Sequence, residues 1–253
     1  MAMSIDVKMP TGWHELDGRR LLTVFLLMAE SADITEVQAC CFVSWAGWRV
    51  YGRVNGNYAV KNRNGHRFII SPETMAAGMK ALAWMEQPPV RPFRLPVLYH
   101  GRAVPLEMSF HDVSFGTFLS CDNLFQGYLA TGRPELLDDL GRILYDGRVE
   151  VFDDGMRLML CYYFSALKTF FAATWPHFLQ GGNTSAGGNL LACAPAHQSV
   201  RERMNAQLRA LTKGDVTKES EVLAIDTWRA MTELDAIAND YQTFQGKYGN
   251  KQF

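Results

Sequence analysis

At 253 residues the chain has room for one large domain or two small ones, and a hydrophobic share of 48% is ordinary for a protein that buries a core, which excludes disorder as its whole description. Twenty-five basic residues against 26 acidic ones leave a net charge of −1, so no global field draws the chain to nucleic acid or to an anionic membrane. The five cysteines include the adjacent pair Cys40-Cys41 and form no disulfide framework; with Cys121, Cys161 and Cys193 in apolar surroundings, reduced buried thiols are expected.

The N-terminal stretch MAMSIDVKMPTGW lacks a basic region followed by an apolar one, so no secretion signal is expected and a cytoplasmic location follows. Residues 1–10 read as an extended approach to Trp13 and Leu16. Asp17 then suits the cap of the apolar run Leu21–Met28. Asp33 and Glu36 have the spacing of a capping box for a second helix, whose apolar face is Ile34, Val37 and Cys41. The period changes after Trp45. Trp48–Val54, Tyr58–Lys61 and Arg67–Ile70 are short, partly alternating runs separated by Asn55-Gly56-Asn57 and Asn64-Gly65, and they predict a small antiparallel sheet over residues 48–70.

Ser71-Pro72 marks a helix start, with serine as cap and proline in the first turn, and this helix carries Met75, Met79 and Leu82. Prolines at 88, 89, 92 and 96 forbid helix or central strand, and the stretch 88–96 is the best internal boundary. It is expected to be an extended crossing that packs Phe93 and Leu95. Val97–Met108 reads as a hairpin around Gly101. Ser114 caps a helix with Phe115, Phe118, Leu119, Phe125 and Tyr128; Gly132 ends it and Pro134 opens a successor whose Leu137, Leu140 and Leu144 share a face.

Met156–Leu179 is the longest run with almost no charge. Its two charges, Arg157 and Lys168, lie about three turns of 3.6 residues apart on one stripe with Ser165, and every other face is apolar. Lys168 interrupts the run and Trp175-Pro176-His177 closes it, so a buried central helix is expected in preference to a membrane span. A glycine-rich loop at 181–189, a short apolar stretch at Leu190–Ala194, a polar helix near Ser199–Leu211 and a polar linker at Thr212–Ser220 follow. The last helix is expected from about Glu221. Its Leu234, Ile237, Tyr241, Phe244 and Tyr248 repeat at spacings of three and four, a heptad-like seam that makes them the candidate partner-binding residues.

The fold class is therefore mainly α (α+β), a helical bundle around a central apolar helix with a small antiparallel sheet near residues 48–70. The expected division is residues 1–87, the crossing 88–96, a helical core at 97–211, and linker plus terminal helix at 212–253; the alternative is that all of it is one domain. Chemistry is sparse. The loop at 181–189 has no preceding strand and no Gly-Lys-Ser/Thr, and the six histidines include no pair at metal-ligand spacing, so no cofactor and no metal are expected. Cys121 beside Asp122, and Cys161, are the only nucleophile candidates, and nothing nearby signals an activated thiolate. In the sheet region Trp48, Arg49, Tyr51, Arg53, Tyr58, Lys61, Arg63 and Arg67 interleave basic and aromatic residues, a mixture able to stack bases and meet phosphates. The plainer expectation is a half-buried sheet with one aromatic face and one solvated basic face.

Four segments resemble an uncharacterised protein family encoded by phages and prophages of gut Bacteroidetes. They are Pro10–Leu22, Ser114–Tyr145, the Phe164-Ser165-Ala166-Leu167-Lys168 run followed by Trp175–Leu179, and Thr227–Tyr241. The resemblance implies a non-enzymatic structural or virion-assembly role, head–tail or tail-associated, in the host cytoplasm or in the virion. Its partners would be other phage structural or assembly proteins, or a second copy; separately, the net charge near zero argues against a nucleic-acid partner and the interrupted central run against a membrane. The alternatives are a nucleic-acid-binding accessory protein using residues 48–67 and, third, an enzyme of unknown type.

Overall fold

The computed structural model describes residues 8–179 and 200–248. The glycine-rich loop at 181–189, the Leu190–Ala194 stretch, Cys193 and His197 lie outside the described residues. The protein is mainly helical with one small sheet, and its described helices and strands are α1 (Gly18–Glu30), α2 (Ile34–Trp45), β1 (Trp48–Val54), β2 (Asn57–Asn62), β3 (Arg67–Ile70), α3 (Pro72–Lys80), α4 (Phe115–Thr131), α5 (Glu135–Leu144), α6 (Asp154–Thr174), α7 (Pro176–Leu179), α8 (Val200–Thr212), α9 (Glu219–Ala224) and α10 (Thr227–Tyr248). The chain divides into two compact units, one of residues 1–89 with 153–159 and one of residues 90–152 with 160–253. The break at Pro89/Val90 falls inside the proline-rich stretch, and α6 contributes its first six residues to the first unit and the rest to the second.

In the first unit, local signals build the elements. Asp17 Oδ1 accepts from the Arg20 amide at 2.8 Å and starts α1. At α2, Asp33 Oδ1 takes the Thr35 amide at 2.8 Å, but Glu36 accepts from the Ser31 hydroxyl, not from the cap amide, so the box closes one step further upstream. Val37, Cys41 and Phe42 are buried on α2, and the buried Gln38 donates to the Leu82 carbonyl and to Glu86. Trp13 stacks on Phe25, and its indole N–H donates to the Gln87 carbonyl at 2.9 Å, while the Trp84 indole donates to the Pro10 carbonyl at 2.8 Å. These two bonds fasten both ends of residues 10–87 together. Ser71 caps α3, which stops at Lys80; Leu82, expected to continue it, is buried just before a 3-10 turn over Ala83–Glu86 that also buries Met85.

The sheet is a meander in the order β1-β2-β3, antiparallel throughout. Asn55 and Gly56 both take positive φ (49° and 80°), the geometry of a tight two-residue hairpin turn whose twist matches that of the strands. Tyr51 is an extra residue in β1: Val50 pairs with Val60 and Gly52 with Ala59, leaving a bulge between them. On one face Trp48 meets Phe42 and Phe68 edge-on, and Val60 and Ile70 are buried.

Gly155 approaches the α1 backbone so closely that an added Cβ would sit 2.8 Å from the Leu26 Cα and 2.9 Å from its amide nitrogen. Helix propensity alone would make Gly155→Ala stabilising by about 1 kcal/mol. Backbone atoms cannot move aside as a side-chain tip can, and overpacking costs about 1–3 kcal/mol or more. The variant is therefore expected to melt several degrees below the parent in a calorimetric scan. A melting temperature at or above the parent's would show that this close approach is not made.

In the second unit, Ser114 Oγ accepts the Thr117 amide to start α4, and Gly132 ends it in the left-handed conformation (φ 68°). The Pro134 carbonyl accepts the Asp138 amide in the first turn of α5. α4 and α5 pack together, and α6 lies against both: Phe164 contacts Phe118 and Phe125 of α4, and Leu160 meets Gly141 of α5 so closely that a Cβ there would fall 2.8 Å from it. Leu160, Phe164, Ala166 and Leu167 have no solvent exposure. The polar stripe is where the spacing placed it, with Arg157, Ser165 and Lys168 half-buried and Lys168 paired to Asp122 of α4.

The crossing after Pro89 is extended, with Phe93 and Leu95 buried, and it is held by the Tyr145 hydroxyl donating to the Pro96 carbonyl at 3.0 Å. The expected hairpin over Val97–Met108 reduces to a single bridge, Leu98 to Ala103, closed by a turn in which Tyr99, His100 and Gly101 all have positive φ. Instead of pairing further with itself, the Leu106 amide donates to the Leu144 carbonyl at the end of α5.

The C-terminal region corrects the expectation of one long helix from Glu221. α9 ends at Ala224, Ile225 is extended, and α10 starts only at Thr227, where Asp226 Oδ1 accepts the Trp228 and Arg229 amides. The break is made by long-range pairing. The Ile225 carbonyl accepts the Phe115 amide at 2.8 Å, and the Thr227 amide and hydroxyl both donate to the Val113 carbonyl.

Candidate functional site

Two surfaces stand out, one in each unit. In the second, the seam expected along α10 divides in the middle. Leu234 is buried with Ala230 and Met231, and the first half of the helix packs into an aromatic cluster in which Trp228 touches Phe170, Phe171 and Trp175. The Trp228 indole donates to the Ser109 carbonyl at 2.6 Å, and His111 stacks on its ring at 4.0 Å. Beyond Leu234 the seam emerges: Ile237 is 41% exposed, Tyr241 64% and Phe244 61%. The side chain of Tyr248 lies outside the described residues. α7 holds this half of the helix by polar contacts, with the Phe178 amide donating to Asp235 and Gln242 donating to the His177 carbonyl. The heptad spacing marked the stripe, but only the packing separates its core half from its surface half.

In the first unit, the eight residues singled out around the sheet do not form one site. Trp48 is buried in the inner face. Arg53 pairs with Tyr58 across β1 and β2, its guanidinium 4.9 Å from the ring, and Arg63 leaves the sheet and lies against Gly47. Four residues do come together. Arg49 is directly opposite Lys61, and Lys61 is directly opposite Arg67, so three cations form one row across three strands. Cross-strand partners project from the same face. Tyr51, the bulge residue, joins them, with the Arg67 guanidinium 5.6 Å from its ring. Tyr51 and Ile69 are each 56% exposed. Sequence reasoning named these cations but missed the row, because opposition depends on register.

A groove of about 880 Å³ opens between α2, α3 and the sheet, walled by Ala39, Cys40, Val43, Val50, Met75 and Met79. Cys40 is exposed at its edge. The other described thiols are poor nucleophiles: desolvation raises Cys41 and Cys121 to about 12, the Asp122 charge adding to the shift at Cys121, and raises Cys161 to about 11. Both nucleophile candidates are thus held as thiols, the opposite of activation.

Among the described residues no group of three or more His, Cys, Asp and Glu side chains is placed to hold a metal ion, and no helix is long and apolar enough to cross a membrane. Compared with protein-family models, curated proteins and solved structures, the chain matches none.

Proposed function

We propose that this is a non-enzymatic phage structural or virion-assembly protein that acts through protein–protein contacts, and that the outer half of α10 makes them with another assembly protein or a second copy of the chain. The observation that carries this reading is the emergence of Ile237, Tyr241 and Phe244 on one exposed stripe of a helix whose first half is fastened into the core. Aromatic residues are enriched where interfaces concentrate their energy, and a stripe at heptad spacing fits the groove of a facing helix. The phage assignment rests on the four segments that resemble the prophage family.

The test is Tyr241→Ser combined with Phe244→Ser. Both side chains are largely exposed, so the double variant is expected to keep its helical circular dichroism and its melting temperature to within a few degrees. Light scattering over a concentration series should show loss of self-association, or a pull-down from infected cells should show loss of a virion protein that the parent chain recovers. A parent chain that is monomeric and recovers no virion protein, or a double variant indistinguishable from it in both measurements, would sink the reading.

A further inference from the structure

We propose that the outer face of the β1-β2-β3 sheet binds single-stranded nucleic acid without sequence preference, with Arg49, Lys61 and Arg67 on the phosphate backbone and Tyr51 stacking under a base. Like charges directly opposite one another in a sheet are destabilising, and adjacent strands are only about 4.8 Å apart, so three cations in one row repel across roughly 10 Å. No ion pair among the described residues relieves them, although Arg67 lies over the Tyr51 ring and Asp33 and Glu36 line the groove that Arg49 and Lys61 also border. Residues 48–70 contain no aspartate or glutamate, and none of the three cations is in an ion pair with a described residue. A chain with 25 basic and 26 acidic residues had acid to spare for this face.

A polyanion laid along the row converts that repulsion into attraction. Two features select nucleic acid over an acidic protein segment. The bulge places Tyr51 on the same face as the row, and bulges re-aim single side chains in this way. Beside it Ile69 is exposed, so the cations border an aromatic and apolar surface suited to the face of a base. The exposed Tyr51 and Ile69 beside the cations favour a single strand, whose bases are free to turn onto an aromatic and apolar surface. No residue of α10 takes part, so this proposal and the assembly role stand or fall separately.

The test is fluorescence polarisation of the full chain with a labelled oligothymidylate of about 20 nucleotides, repeated between about 50 and 200 mM salt. Three phosphates neutralised on a single strand give an expected slope of log K against log salt of about −2. Lys61→Gln with Arg67→Gln should weaken binding roughly tenfold or more and bring the slope to about −0.7, while melting no lower than the parent because opposed charges have been removed. Tyr51→Ala should weaken binding roughly tenfold with the slope unchanged, since stacking releases no counterions. Absence of binding at the lowest salt, or a Lys61→Gln/Arg67→Gln protein with the parent's affinity and slope, would overturn the proposal. Displacement of the oligonucleotide by polyglutamate at equal charge concentration would assign the face to an acidic protein instead. Equal affinity for a duplex of the same length would remove the single-strand assignment.

Discussion

Phe164→Asp and Leu160→Asp are each expected to yield no soluble folded protein. Both positions have no solvent exposure, and Phe164 touches the rings of Phe110, Phe118 and Phe125. Deleting a buried phenylalanine side chain costs about 3–5 kcal/mol by itself, and stranding an ionised carboxylate among those rings adds several more. Lys168, one turn along α6 from Phe164, is already paired to Asp122. Set against a total stability of about 5–15 kcal/mol, the combined cost removes the folded state. Phe164→Leu, which keeps most of the volume, is the control and should fold with a lowered melting temperature. A soluble Phe164→Asp protein with a cooperative melt would show that α6 is not core.

Truncation after Ser220 is expected to unfold the second unit. The polar stretch before α9 invites the idea that the terminal helix can lift away from a finished body, and the contacts are against it. Thr227 and Ala230 are fully buried and Met231 and Leu234 nearly so; burying side chains of this size is worth about 1.5–3 kcal/mol each for the larger two. Four hydrogen bonds fix the start of α10 to residues 109–115: two from Thr227 to the Val113 carbonyl, one from the Asp112 amide to Asp226 at 2.7 Å, and one from the Trp228 indole. Each contributes about 1 kcal/mol, and the partners left unsatisfied in the core cost more than that. The sum reaches the scale of the whole stability. Truncation after Asn239 keeps all of these groups and removes Tyr241 and Phe244, so it should retain the parent's circular dichroism and a cooperative melt. If the Ser220 truncation instead folds and melts cooperatively, α10 is an appendage and its first half is not core.

The features legible in the sequence were those decided within a few residues. Asp17, Ser71 and Ser114 cap helices because an oxygen on the side chain reaches an amide two or three positions on; Asn55-Gly56 makes its turn because those residues tolerate positive φ; the apolar run around Leu160 could only be buried. The sheet strands were legible for the same reason, down to nearly their end residues. What the tertiary structure alone decided depends on partners far along the chain. Ile225 leaves the helix because its carbonyl is claimed by Phe115, and the Asp226 cap that restarts α10 is a local sign of where the next helix begins but not of the break before it. Val97–Met108 fails to pair with itself because Leu106 finds the end of α5. The division of the α10 seam into a core half and an exposed half follows from how far the body extends beneath it, which spacing cannot encode. The candidate sites show the same limit. The sequence placed Arg49, Lys61 and Arg67 near one another, but their opposition in one row is a matter of register, settled for Arg49 and Lys61 by the Asn55-Gly56 turn with the bulge at Tyr51 and for Lys61 and Arg67 by the turn between Asn62 and His66.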